Sequence, residues 1–119
     1  MKLYELFTGD ELKIAEKIQQ RRYQLLIHSC IYYHLDASII TDVKWDMWAK
    51  ELQHLQSLYP DISKQVILYE YFTDWDGSTG AFLPIDLDWA IGIAKKLLDS
   101  KIKKPLVKQD KKPERRKLF

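Results

Sequence analysis

Between Asp10 and Leu35 neither proline nor glycine interrupts the chain, and apolar side chains return at near-helical intervals: Leu12, Ile14, Ile18, Leu25, Leu26, Tyr32 and Leu35. Thr8 followed by Glu11 has the spacing of a capping box. Together these predict one long helix over residues 9–35. DASIIT then reads as a linker, with Thr41 where an N-cap is expected. Beyond it Trp45, Trp48, Leu52, Leu55 and Leu58 form a second stripe at spacings of three and four, stopped by Pro60. Two amphipathic helices joined by so short a linker bury their stripes by folding back on each other, as a helical hairpin.

The remainder is less regular. In SKQVILYEYF, Val66, Ile67 and the tyrosines favour a strand, yet no partner strand is evident. Ile62, Val66, Tyr69 and Phe72 also share a helical face, so a short helix is expected. TDWDGSTG is a turn-rich loop, and Asp86 is the expected cap of a last helix, DLDWAIGIAKKLLDSK, with Leu87, Ala90, Ile91, Ala94 and Leu97 inward. The expected fold class is therefore all-α: the hairpin, one or two further short helices and a basic C-terminal tail. At 119 residues and 46% hydrophobic, the chain can bury one core without disulfides. Its single cysteine, Cys30, fits a reducing cytoplasm. The start MKLYELFTGDELK lacks the apolar run of a signal peptide, and no stretch reaches the roughly 18 apolar residues of a membrane span. A cytoplasmic protein with no membrane partner is expected.

Charge divides the chain in two. Residues 1–100 hold ten Lys/Arg against fifteen Asp/Glu, whereas residues 101–119 hold nine against two. The expected organisation is a helical domain at 1–100 followed by a flexible tail at 101–119, KIKKPLVKQDKKPERRKLF, too poor in apolar residues to fold alone.

The hairpin bend concentrates chemistry. Asp42, Trp45 and Asp46 stand at i, i+3 and i+4 on one helical face, and Tyr32 and Asp36 are four apart at the end of the preceding helix. Aromatic faces attract a flat cation by roughly 0.5–2 kcal/mol each. Ionised carboxylates accept hydrogen bonds from sugar hydroxyls and offset positive charge. Such a site suits a pyridinium carried on a ribose. Taken singly, each residue also has an ordinary structural use. Asp42 favours the helix dipole, Trp45 and Trp48 fill a core, Tyr32 bridges core and solvent, and Asp36 starts a turn.

The run IYYHLDASIITDVKWDMWAKELQHLQSLYP resembles domain Ia of the NAD⁺-dependent bacterial DNA ligases, a helical hairpin with a signature like YxYYxxDxPxISDxxYDxLxxELxxLExxxP. Tyr32, Asp36, Asp42, Asp46, Glu51, Leu52, Leu55 and Pro60 match in register. The resemblance implies a site for the nicotinamide mononucleotide (NMN) half of NAD⁺. Tyr32 and Trp45 would lie against the nicotinamide, with Trp45 replacing the tyrosine of the family's YD pair. Asp42 and Asp46 would hold the ribose or balance the pyridinium charge, Asp36 would belong to the same acidic group, and Tyr33 would fall near the phosphate. Ser38 stands where the family has proline. The ligases' nucleophilic lysine, in KxDG, has no counterpart: before Asp76-Gly77 the lysine's position holds Asp74. No catalytic residues are expected, and ligation would need this chain as a subunit of something larger. The overall form resembles small ligase-related proteins of bacteriophages. Three roles follow: an NMN or NAD-binding module, an interaction protein that modulates a host protein, or an accessory nucleic-acid binder acting through its tail.

Other chemistry is thin. His28, His34 and His54 form no metal spacing with Cys30, which reads as a packing residue. DWDGSTG lacks both the P-loop lysine and the EF-hand pattern, and reads as a structured turn whose Trp75 and acids are available for contacts.

The charge division generates a test. Deleting residues 101–119 is expected to abolish oligonucleotide binding, measured by fluorescence anisotropy, while leaving the melting temperature nearly unchanged. Binding by the intact chain should weaken steeply between about 50 and 200 mM salt. Unchanged oligonucleotide affinity after truncation would reject the tail as a nucleic-acid arm.

Overall fold

The computed structural model describes residues 2–102. They form six α-helices: α1 (Leu3–Leu6), α2 (Gly9–Ser29), α3 (Asp42–Leu58), α4 (Pro60–Gln65), α5 (Tyr69–Phe72) and α6 (Asp88–Ile102). A π-helical turn, Cys30–His34, extends α2. The fold class is all-α, as expected. Residues 103–119, nearly the whole expected tail, lie outside the described residues.

The hairpin forms between α2 and α3, which pack directly on each other. Arg21 Nε donates to Glu51 Oε1 at 2.7 Å, Arg22 reaches Gln56 at 2.8 Å, and His28 lies 5.4 Å from the Trp48 ring, so the two helices run antiparallel. Ile18, Leu25, Leu26, Cys30 and Ile31 from one arm meet Trp45, Ala49 and Leu52 from the other, all buried. The second stripe is shifted from its expected course. Leu58 is 55% exposed and Trp48 and Leu55 are only partly covered, while Ala49, between them on the buried side, is fully enclosed.

Several termini differ from expectation. Thr8 precedes α2 but its side chain makes no cap bond, so the predicted capping box does not form. Thr41 does cap α3, its hydroxyl accepting from Lys44 N–H at 3.0 Å. Asp86 is not the cap of α6: the helix begins at Asp88, and Ile91 N–H bonds to Leu87 O at 2.9 Å. Its Ala90 and Ala94 are fully buried, against α2 and the π turn.

The single short helix expected after Pro60 is broken into α4 and α5. Val66 is extended, and Leu68 takes φ 75°, a left-handed conformation that costs a non-glycine residue about 1–2 kcal/mol. Arg22 supplies the reason. Fully buried, it donates from Nη1 to the carbonyls of Val66 (2.8 Å) and Ile67 (3.2 Å), which are thereby taken from any helical ladder. Its Nη2 reaches Ser63 Oγ at 2.6 Å and Ser63 O at 3.2 Å, and its Nε reaches Gln56 at 3.0 Å. Burial lowers the guanidinium pKa to about 10, which leaves it charged at neutral pH.

Leaving a buried polar group without its hydrogen-bond partner costs about 1–3 kcal/mol. Arg22→Met is therefore expected to lose at least about that much stability in urea denaturation, since the Val66 and Ile67 carbonyls lose their Arg22 donor while Ser63 O keeps the Val66 N–H. Arg22→Lys should not restore it, because a single ammonium cannot span the same fork of acceptors. Wild-type stability in the lysine variant would remove Arg22 from this role.

Candidate functional site

Helix α2 does not run straight into the bend. Its last turn widens to π geometry, Leu35 N–H closing on Cys30 O at 3.0 Å and Ala37 N–H on Ile31 O at 2.9 Å. Such π segments are uncommon and occur frequently at functional sites. Between those two closing residues Asp36 adopts φ 58°, a left-handed turn conformation that aspartate tolerates better than most side chains. Ser38 Oγ then donates to Ile40 O at 2.9 Å, which shapes the linker toward Thr41 and α3. Nothing in CIYYH announced the π turn; its residues are helix-compatible either way.

The predicted residues are distributed between core and surface. Tyr32 is 6% exposed and Trp45 2%, so both rings are enclosed. Tyr33 is half-buried and its ring meets that of Tyr32 edge-on at 4.9 Å. Asp36, Asp42 and Asp46 are each half-buried; Asp42 occupies the first turn of α3, and Asp46 pairs with Lys50 at 3.3 Å one turn later.

What encloses the bend is the loop TDWDGSTG. Trp75, 8% exposed, meets Trp45 edge-on at 6.1 Å and Phe72 at 5.1 Å. Its indole N–H donates to Thr79 O at 2.7 Å, and the Thr79 hydroxyl lies 3.2 Å from Tyr33 Oη. Asp76 accepts from the Ser78 N–H (2.9 Å) and hydroxyl (2.7 Å), so the loop is the structured turn expected of it. Ser78's bonds hold the Asp76 carboxyl below its ordinary pKa. Gly80 comes so close that an added Cβ would stand 2.1 Å from Ser29 Oγ and 3.1 Å from Trp45 Cζ2; only glycine permits that approach. Tyr33 and Trp45 are thus brought together beneath one loop, and Trp75, Thr79 and Gly80 join the site. Trp75 beside D-G-x-x-G was the one sequence signal for this.

Trp48 gathers two cations: Arg21 lies 5.5 Å and Lys44 5.7 Å from its ring centroid. His28, against the same ring, has its pKa lowered to about 4, first by burial and then by Lys44 and Lys101. Cys30 donates to Ile85 O at 3.5 Å, and burial raises its thiol pKa to about 11, which makes it a packing residue. Among the described residues no group of three His, Cys, Asp or Glu is placed to hold a metal ion, and no helix is long and apolar enough to cross a membrane. The large groove of about 680 Å³ lies between α1, α2 and Gln65–Ile67, and none of the bend residues lines it.

Residues 11–65, just under half of the chain, match the family model described as the DNA ligase-like, N-terminal NAD⁺-binding domain. That segment contains the bend and all of the hairpin but the first two residues of α2, so the resemblance to domain Ia holds over it; the loop 73–80 and α6 fall outside the match. Neither the curated proteins nor the solved structures contain a significant match.

The environment of His28 sets a pH dependence. Its folded pKa of about 4 lies below the unfolded value of about 6.5. The folded state is therefore favoured fully above pH ~6.5, and that contribution, at most about 3 kcal/mol, is lost as pH falls toward 4. In urea denaturation across this window, His28→Phe is expected to show a flatter stability curve than wild type. Parallel curves would mean that His28 does not carry the dependence.

Proposed function

We propose that the DNA ligase-like hairpin serves as a nicotinamide-nucleotide-binding module, taking NMN or NAD⁺ at the bend and performing no ligation of its own. The match of residues 11–65 to an NAD⁺-binding family carries the reading. The bend supports it chemically. Asp42 and Asp46 share a face at the start of α3, where their carboxylates can receive ribose hydroxyls and offset a pyridinium charge. Asp36 and Tyr33 stand on the other side of the linker, Tyr33 toward the phosphate, while Tyr32 and Trp45 supply the aromatic walls. Because Trp45 and Tyr32 are enclosed, a ring reaches them only through a local opening of the site.

A second reading is an interaction protein whose Ia-like surface binds another protein, the phage-type role drawn from the sequence. Val43 and Met47 favour it: one turn apart on α3, they are 68% and 64% exposed beside the bend. A contiguous apolar pair there suits a protein surface better than water. The observed match favours the nucleotide reading over this one.

Calorimetric titration with NMN and NAD⁺ tests it. Asp46→Asn keeps shape and removes charge, and is expected to weaken binding by about tenfold, or 1.4 kcal/mol. Trp45→Tyr retains an aromatic face and should still bind, whereas Trp45→Ala is uninformative alone because it also removes about 3–5 kcal/mol of core packing. No binding of either nucleotide at millimolar concentration would transfer the argument to the protein-interaction surface.

A further inference from the structure

The loop TDWDGSTG lies outside the family-matched segment, yet it packs on Trp45 and bonds to Tyr33 within that segment. Trp45 retains 2% exposure and Tyr32 6%, and a flat ring cannot be added to so closed a site. Two parts of this loop lie beside Trp45: Trp75, at 6.1 Å between ring centroids, and Gly80, where an added Cβ would come within 3.1 Å of Trp45 Cζ2. We propose that Trp75 and its loop form a resident plug, an aromatic side chain held against Trp45 where the nicotinamide ring would otherwise lie, so that nucleotide binding requires the loop to leave. This rests on the nucleotide-binding reading above.

The loop is built for such an exchange. Its internal bonds, Trp75 Nε1 to Thr79 O and Asp76 to Ser78, travel with it as a unit. A polar tie to the hairpin is the bond between the Tyr33 and Thr79 hydroxyls at 3.2 Å, on the residue proposed to lie toward the ligand phosphate. Phe72 and Leu83 hold the two ends of the segment in the core, at 0% and 3% exposure, while Thr73, Asp74 and Phe82 beside them are exposed and Gly77 turns at φ 81°, so the loop can swing between fixed ends. Trp75 itself supplies the main apolar hold, against Trp45 and Phe72. A site closed in this way binds with its intrinsic affinity reduced by the fraction of molecules that are open. Weakening the plug therefore tightens the ligand, the opposite of what removing a wall of the site does.

The full chain is titrated with NMN as wild type, Trp75→Ala and Thr79→Val, with circular dichroism confirming that each variant is folded. Trp75→Ala is expected to bind about tenfold tighter, and Thr79→Val, a milder change that preserves the core, several-fold tighter. In the wild type, NMN should accelerate hydrogen exchange at the amides of Ala81 and Leu83, which bond to Thr79 Oγ1 and Gly80 O in the closed loop. If Trp75→Ala does not fold, Thr79→Val and the exchange measurement decide. Binding by wild type with equal or weaker binding by the variants, or protection of those amides by NMN, overturns the plug while leaving the nucleotide reading intact. Absence of NMN binding in wild type and in both variants overturns the nucleotide reading itself.

Discussion

The Arg22 guanidinium is the interaction around which the rest of the packing is arranged. It is a full charge with no exposed surface, and among the described residues no carboxylate hydrogen-bonds to it. Such a charge survives burial only if its donors are satisfied, and here the acceptors come from α3 (Gln56), α4 (Ser63) and the break that follows (Val66, Ile67). The rings of Tyr69 and Phe72 lie over it at 5.7 and 5.9 Å. One side chain of α2 thereby fixes the end of the hairpin opposite the bend and forces the chain after Pro60 to turn. That turn returns Phe72 to the core and sends Trp75 toward Trp45.

The two ends of the hairpin are consequently linked. At one end a charged network ties α2 to the irregular segment 63–68; at the other, a π turn and a left-handed Asp36 shape a bend. Phe72 touches both, lying against Arg22 and packing on Trp75. The exchange of Tyr for Trp at position 45, relative to the ligase signature, belongs to the same packing. A larger apolar ring inside the core needs a cover, and Trp75 with Gly80 provides it. The acids of the bend, Asp36, Asp42 and Asp46, are half-buried at the edge of that core.

Much of the fold was legible because it depended on local periodicity. Residues 42–58 formed a helix at both expected ends, Thr41 capped it, and α2 began at Gly9. The errors fell where a long-range partner outvoted local preference. Val66 and Leu68 carry no turn signal; Arg22, 44 residues earlier in the chain, removes the carbonyls that a helix would need. Thr8 and Asp86 had the residue types of caps, but neither acts as one. The π turn adds a residue to the backbone circuit without changing composition, so periodicity has nothing to read.

For the site, the sequence by itself determined which chemical groups flank the bend. Spacings of three and four on a helix put Asp42, Trp45 and Asp46 on one face whatever else the chain does. It also determined, over residues 11–65, the likeness to a nucleotide-binding family. Only the tertiary structure decided that Trp45 and Tyr32 are enclosed and that another tryptophan, thirty residues along, packs on Trp45. Periodicity states the direction in which a side chain leaves its helix. What it meets there depends on segments distant in sequence, and here that segment is an irregular loop whose course is set by Gly80, Tyr33 and the packing of Phe72.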